Sequence, residues 1–457
     1  MAALISEFSP RVPALSAERT VTWPKRTRAK LANGMEIVLA ESHTIPKFHG
    51  ELFLRAGDAL VSDRAPDLAS MVSTVVRTGT ANRASRQIEE DLRSLGADLA
   101  SSAGQDTSAI SFAGLSEFAE PILQLVNELA REAAFPPAEF ERERRLKLEE
   151  VKLQRTSPGF LASERLRKIL FGAHPYSLVA PSEAQVANYQ RQDLLDVYRE
   201  IYTPENALLM MVGDFDSQAL LKTIEKVFSG WEGKKPAAKV FAAPANPRGR
   251  NVTLVHVPGS VQTQILIGCH AITRKHPDWL KLALTNSLYG GAFNSRLVMN
   301  IREDKGYTYS PRSTVHPLIQ RGYFTVSAAV RNDVVAASLS EMFYEIDKLR
   351  SVPVPEPELA DAQNYVTGVF SLGLATQEGL LSQFSIVELN DLPADYLETY
   401  RQKIRAFTPA DLLAASRQYF DSPNLQIIVV GDRAVIESQA ALFGNLQRFD
   451  NQGKHID

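Results

Sequence analysis

Ser70, Ser73 and Thr74 lie three and four residues apart in the run Leu68-Ala69-Ser70-Met71-Val72-Ser73-Thr74, shortly before Gly79-Thr80. On a helix that spacing puts side chains on one face, where they can converge on a single ion. Hydroxyls are poor donors for that task. A serine or threonine oxygen stays protonated at neutral pH, binds zinc weakly beside imidazole or thiolate, and cannot serve as a carboxylate base. A second group lies far downstream. Arg302 and Tyr309 are seven apart, in a segment that follows Gly290-Gly291. A permanent guanidinium and a phenol are hydrogen-bond donors suited to negative charge developing on an oxygen. The same two residues admit a structural reading, with Arg302 paired to Glu303 or Asp304 and Tyr309 in the core.

The other reactive side chains offer no constellation. There are eight histidines, and no two lie three or four apart. The pairs His43/His49 and His270/His276 are six apart and do not share a helix face. His174, in His174-Pro175-Tyr176, reads as a turn or packing position. The single cysteine, Cys269, excludes internal disulfides and cysteine-based zinc clusters. Its apolar neighbours Ile265-Leu266-Ile267 mark it as a small buried packing residue. Glu143 and Glu150 fall in a strongly charged helical stretch, Glu139 through Arg155, which reads as a solvated face with Glu143 and Lys147 available as an i,i+4 pair. No phosphate-binding glycine loop and no Gly-x-Ser-x-Gly elbow occurs.

These groups need a scaffold, and the chain supplies one twice. Asp193-Leu194-Leu195, Tyr202-Thr203-Pro204-Glu205-Asn206 and Val212-Gly213-Asp214 recur as Asp411-Leu412-Leu413, Phe420-Asp421-Ser422-Pro423-Asn424 and Val430-Gly431-Asp432. Asp193 and Asp411 are 218 apart, as are Gly213 and Gly431, so the register holds without a gap. Each copy reads as an amphipathic helix, a turn, a buried strand, then Gly-Asp opening another helix. Ala207–Val212 and Ile427–Val430 are continuous apolar runs, as expected of strands covered by helices. Earlier strands are expected at Met35–Leu39 and His49–Arg55, with counterparts at Val252–Val257 and Thr263–Gly268. The expected fold is α+β: two similar halves, each a sheet with helices packed on one face, joined by an extended linker. An N-terminal extension covers 1–26 and the first half 27–232. The Pro- and Gly-rich linker is 233–249, the second half 250–450, and a short tail 451–457.

Totals bound the function. A chain of 457 residues exceeds one ordinary core, and 44% hydrophobic with 23% charged residues is usual for a globular protein. A net charge of −3 with acids and bases interleaved argues against nucleic acid. No apolar run reaches membrane-span length, so no span is expected. Residues 1–26 lack a long apolar signal core. The chain either stays inside the cell or has lost a signal segment.

Taken in order, several segments resemble the pitrilysin or insulinase-like zinc peptidases, in particular the two-domain type like the mitochondrial processing peptidase. They are Leu54-Arg55-Ala56-Gly57, the helix ending at Gly79-Thr80, Phe140-Glu141-Arg142-Glu143-Arg144 leading to Glu149-Glu150, His174-Pro175-Tyr176, Pro258-Gly259-Ser260, Asn294-Ser295-Arg296-Leu297, and Arg302 to Ser310. The resemblance spans roughly residues 27–445. In that family an inverted motif, His-x-x-Glu-His, precedes the Gly-Thr turn. Matching on Gly79-Thr80 puts Ser70 and Thr74 at the histidine positions, Ser73 at the catalytic base and Glu150 at the distant ligand. The metal site is thus degenerate, while Arg302 and Tyr309 match residues that bind the substrate carbonyl and stabilise the oxyanion. The resemblance implies a noncatalytic subunit with no metal or cofactor of its own. A zinc-bearing homologous peptidase subunit would complete a heterodimer, with a peptide as substrate. The alternative it also implies is a non-enzymatic structural or peptide-binding protein, like the respiratory-complex core subunits of this fold. An independent hydrolase using other residues is a third, less supported reading.

Overall fold

The computed structural model describes residues 21–457; residues 1–20, most of the expected N-terminal extension, lie outside the described residues. Two six-stranded sheets form the frame. The first contains Arg26–Lys30 (β1), Glu36–Glu41 (β2), Lys47–Leu54 (β3), Asp98–Ala103 (β4), Ser108–Leu115 (β5) and Ala207–Gly213 (β6), in the order β1-β2-β6-β3-β5-β4. The second contains Asn251–His256 (β7), Gln262–Ala271 (β8), Arg312–His316 (β9), Gly322–Arg331 (β10), Gln426–Gly431 (β11) and Asn445–Asp450 (β12), in the order β12-β7-β11-β8-β10-β9. The plans coincide except at one edge: β1 runs antiparallel to β2, while β12 runs parallel to β7. β6 and β11 are buried along their whole length. Each lies inside its sheet with both faces covered, which explains apolar runs without polar alternation. Residues 233–248 contain no helix or strand.

Each sheet packs its own helices on one face. Ile37, Leu39, Leu52, Leu209 and Met211 share a core with the helices Leu68–Val76, Ala119–Glu132, Arg191–Ile201 and Ser217–Phe228. The opposite faces are covered by an exchange between the halves. Leu381 and Phe384 of the helix Gln377–Leu389, from the second half, pack with Val38, Phe53, Leu208 and Met210 of the first sheet. Leu161, Leu166 and Leu170 of the helix Pro158–Phe171, from the first half, pack with Val255, Leu266, Ile428 and Val430 of the second. These two helices begin 219 and end 218 residues apart (Pro158 to Gln377, Phe171 to Leu389), so they are equivalent elements of the repeat. Gly268 marks how close the approach is: a Cβ there would lie 2.7 Å from Leu166 Cδ2.

Hydrogen bonds reinforce the exchange. Tyr176 Oη donates to Asp106 in the first half and accepts from Gln320 N of the second at 3.2 Å. Asp106 Oδ2 also accepts from Ile319 N at 3.0 Å. Arg28 forks onto Glu388 with contacts of 2.6 and 2.5 Å.

Candidate functional site

The helix Leu68–Val76 follows Asp67, whose backbone is left-handed with φ 62°. Its first turn is capped from a distance. Asp58 Oδ1 accepts from Ala69 N at 2.9 Å and Ser70 N at 3.2 Å, and Asp58 Oδ2 accepts from Ser70 Oγ at 2.6 Å. A carboxylate at a helix N-terminus meets both orphan amides and the positive end of the dipole. Burial nonetheless lifts the Asp58 carboxyl to about 6, with the charge of Asp67 adding to the rise and the bonds from Ser70 and Ala69 opposing it.

All three hydroxyls are committed as donors. Ser70 Oγ serves Asp58, while Ser73 Oγ donates to Ser70 O at 2.8 Å and Thr74 Oγ1 to the same oxygen at 3.1 Å. Ser73 is also buried at 3% exposure, and its own carbonyl accepts from Ser101 Oγ, fastening the helix to edge strand β4. Glu150, on the helix Pro137–Gln154, accepts from Gln154 Nε2 at 2.8 Å. It also faces Lys147 Nζ at 3.2 Å. The Lys147 ammonium reaches Asp67 Oδ2 at 2.7 Å as well, and both side chains are mostly enclosed. An ammonium therefore sits between Glu150, expected at the distant ligand position, and the acid preceding the hydroxyl helix. Burial lowers the Lys147 pKa, but the charges of Asp67 and Glu150 outweigh it and the net shift is upward. Asp67 is also shifted upward, by its own burial, against the pull of Lys147. The 2.7 Å contact holds the two as a charged pair, since either partner alone would be an unpaired buried ion.

These donors do not fit zinc. Three protonated hydroxyls and one carboxylate already bound to an ammonium do not make a tetrahedral set of imidazole, thiolate or free carboxylate. Among the described residues, no group of three or more His, Cys, Asp or Glu is arranged to hold a metal ion. The expected Glu143–Lys147 pair is not formed. Glu143 instead faces Arg142 at 2.7 Å, while Lys147 reaches Asp67 at 2.7 Å.

Arg302 and Tyr309 are brought together. Arg302 lies in a helical turn, Met299–Asp304, wound as a π-helix, a form often found at functional sites. Its guanidinium stacks on the Tyr309 ring at 4.7 Å and on the Phe293 ring at 4.8 Å, while Nε meets Glu303 Oε1 at 3.2 Å. The local acid pair foreseen for Arg302 is present. Tyr309 as a core residue is not: it is 80% exposed, and Phe293 is 69% exposed. The result is a half-buried cation in contact with two exposed aromatic rings. Sequence reasoning missed Phe293, whose ring meets Arg302 only through the fold of the turn. Among the described residues, no hydrogen bond, ion pair or ring contact joins this cluster to the hydroxyl helix. A cavity of about 710 Å³, lined by Glu51, Phe53, Phe112 and Glu378 among others, includes neither group.

His174 and His270 both pack against the Phe171 ring, but among the described residues no histidine belongs to a group of three or more residues arranged to hold a metal. His174 Nδ1 accepts from Tyr176 N at 3.1 Å, and its Nε2 meets Gln320 Oε1 at 3.3 Å, so its turn supports the contact between halves. His316 stacks on Tyr323 with ring centroids 4.2 Å apart. Cys269 is buried and free, and burial pushes its thiol up to about 12.

Comparison with known proteins follows the same lines. Residues 37–180 match the family model described as insulinase (peptidase family M16), and residues 188–366 match peptidase M16 inactive domain. The chain is 22% identical over 353 residues to the uncharacterized zinc protease YmxG of Bacillus subtilis, covering 77% of this chain and 85% of that protein. It is 21% identical over 406 residues to an uncharacterized zinc protease of Rickettsia bellii, covering 88% and 96%. Among solved structures, a peptidase M16 inactive domain from Pseudomonas fluorescens superposes with a TM-score of 0.84 at 24% identity, covering 89% of this chain and 98% of that one. A protease from Helicobacter pylori also gives 0.84, at 19% identity, covering 89% and 99%. At these identities the structural likeness establishes the fold alone.

Proposed function

We propose that this chain, which belongs to the insulinase (M16) peptidase family, is the noncatalytic subunit of a heterodimeric zinc metallopeptidase. The zinc would be carried by a homologous partner with an intact inverted motif. One observation carries the reading: the positions that the resemblance matches to metal binding and activation hold donating hydroxyls beside an ammonium, while the half-buried Arg302 stacks on the exposed Tyr309. Losing the metal ligands removes catalysis by this chain alone. Keeping the two donors makes sense where a peptide carbonyl is presented from another subunit. There, the guanidinium and the phenol would donate to the carbonyl oxygen as it gains charge. The stacking on Phe293 and Tyr309 limits the swing of the guanidinium, so less freedom is lost when it binds.

The test is isolation of the native complex through a tag on this chain, followed by peptide hydrolysis with wild type and Arg302→Ala. Loss of one oxyanion donor costs about 3 kcal/mol of transition-state stabilisation, a fall of roughly 10²- to 10³-fold in turnover. Unchanged hydrolysis by the Arg302→Ala complex refutes the assignment. A complex that binds peptide through Arg302 but contains no hydrolytic partner favours the non-enzymatic alternative.

A further inference from the structure

Behind the turn that carries Arg302 lies a cavity of about 360 Å³ with an unusual floor. Asn300 Nδ2 donates to Glu341 Oε2 and to Glu345 Oε1, both at 2.9 Å. Only the amide nitrogen can serve two carboxylates, so the orientation of this carboxamide is fixed. Asn300 Oδ1 and Glu345 Oε2 are then left buried with no hydrogen-bond partner among the described residues. Glu345 is only 6% exposed, on the helix Val335–Ser351. Two enclosed acceptors without donors, one of them a carboxylate oxygen, are costly unless something supplies N–H groups.

The neighbouring cations are largely engaged elsewhere, although Arg296 and Lys348 line the cavity and Arg296 Nη1 is buried with no hydrogen-bond partner among the described residues. Arg296 holds Glu358 through contacts of 2.6 and 2.7 Å, Lys305 faces Glu341 at 3.4 Å, and Lys348 lies over the Tyr344 ring. Above the floor, Met299, Val352, Pro353 and Pro355 form an apolar rim. An acidic floor under an apolar rim suits a charged head on a methylene stem. It suits a hard divalent ion less well, because such an ion needs six or more oxygens or most of its own water shell.

We propose that this cavity binds a protonated primary amine on a short aliphatic stem, whose N–H groups donate to Glu345 Oε2 and Asn300 Oδ1. Asn300 and Arg302 are two apart in the same helical turn and face away from each other. The site is therefore separate from the Arg302–Tyr309 cluster, and it stands whether or not the chain serves a peptidase.

Titration calorimetry on the full chain tests it, with n-butylammonium and Nα-acetyl-lysinamide as ligands and n-butanol, MgCl2 and CaCl2 as controls. The expected result is saturable one-to-one binding of an amine and none of the alcohol. Binding of butylammonium alone identifies a free amine as the ligand type, and binding of acetyl-lysinamide identifies a lysine side chain; either supports the site. Glu345→Gln should weaken binding at least tenfold. Val352→Trp, at a position 56% exposed, blocks the mouth without touching the floor. It should abolish binding while leaving the melting temperature unchanged. Failure of both amines to saturate, survival of binding in Val352→Trp, or displacement of the amine by Mg²⁺ or Ca²⁺ overturns the proposal.

Discussion

Asp58 ties the altered helix to the stability of the first half, and its titration gives a test that needs no partner. The carboxyl is 9% exposed and accepts three hydrogen bonds, from Ser70 Oγ and from the amides of Ala69 and Ser70. Desolvation still outweighs those bonds and lifts its pKa from 3.8 to about 6. The folded state therefore holds a proton here more tightly than the unfolded chain does. Stability from this group is fully present below pH 3.8, declines as pH rises toward 6, and is gone above it. A shift of that size corresponds to about 3 kcal/mol. Asp58→Asn provides the reference: Oδ1 can still accept both amides, and Nδ2 can donate to Ser70 Oγ. Glu51, lifted to about 6 by burial and by the charge of Glu378, titrates in the same window, so the difference between the two proteins is the quantity to follow. Urea unfolding from pH 4 to 7.5 should show wild type losing up to about 3 kcal/mol relative to Asp58→Asn. A difference that stays flat across that range refutes the assignment of a raised Asp58.

Three further outcomes follow from named contacts. Tyr176→Phe deletes the hydroxyl that bridges Asp106 and Gln320. It should cost about 1–3 kcal/mol in urea unfolding, since the enclosed carboxylate loses the donor to Oδ1 and keeps only Ile319 N on Oδ2; a neutral effect removes the bridge from the account. Rebuilding the motif as Ser70→His, Ser73→Glu and Thr74→His should give weak zinc binding by calorimetry until Lys147→Met is added, which should tighten it at least tenfold. Tight zinc with Lys147 still present shows that the ammonium does not oppose the ion. Cys269, with its thiol pushed up to about 12, should resist iodoacetamide at pH 8 in the native protein and react only on unfolding. Labelling under native conditions contradicts its burial.

Much of the frame was legible because hydrophobic period and register are local properties. The apolar runs at β6 and β11 marked strands covered on both faces, and the 218-residue offset related the two halves. The offset also holds for Pro158–Phe171 and Gln377–Leu389, but the exchange of these helices was not legible. An amphipathic pattern says that a face is buried, not which sheet buries it. The expected Glu143–Lys147 pair failed for a similar reason. Spacing makes the contact possible, but a left-handed Asp67 from another element offers Lys147 a competing carboxylate at 2.7 Å. At the candidate site, the hydroxyls at the positions the resemblance matches to imidazoles could be read from the sequence, whereas their donation to Asp58 and to Ser70 O depends on the fold. Phe293 went unread because its ring matters only once the turn at Met299–Asp304 brings Arg302 against it. The unfilled oxygens at Asn300 and Glu345 have no sequence signal, since they arise where two helical segments meet.

The most direct measurement is metal and activity analysis of the complex isolated from native cells through this chain. The account predicts zinc bound by a homologous partner, peptide hydrolysis by the complex, and an Arg302→Ala complex that retains its zinc but loses turnover. Stoichiometric zinc held near Thr74 by the isolated chain, or hydrolysis indifferent to Arg302, would contradict it.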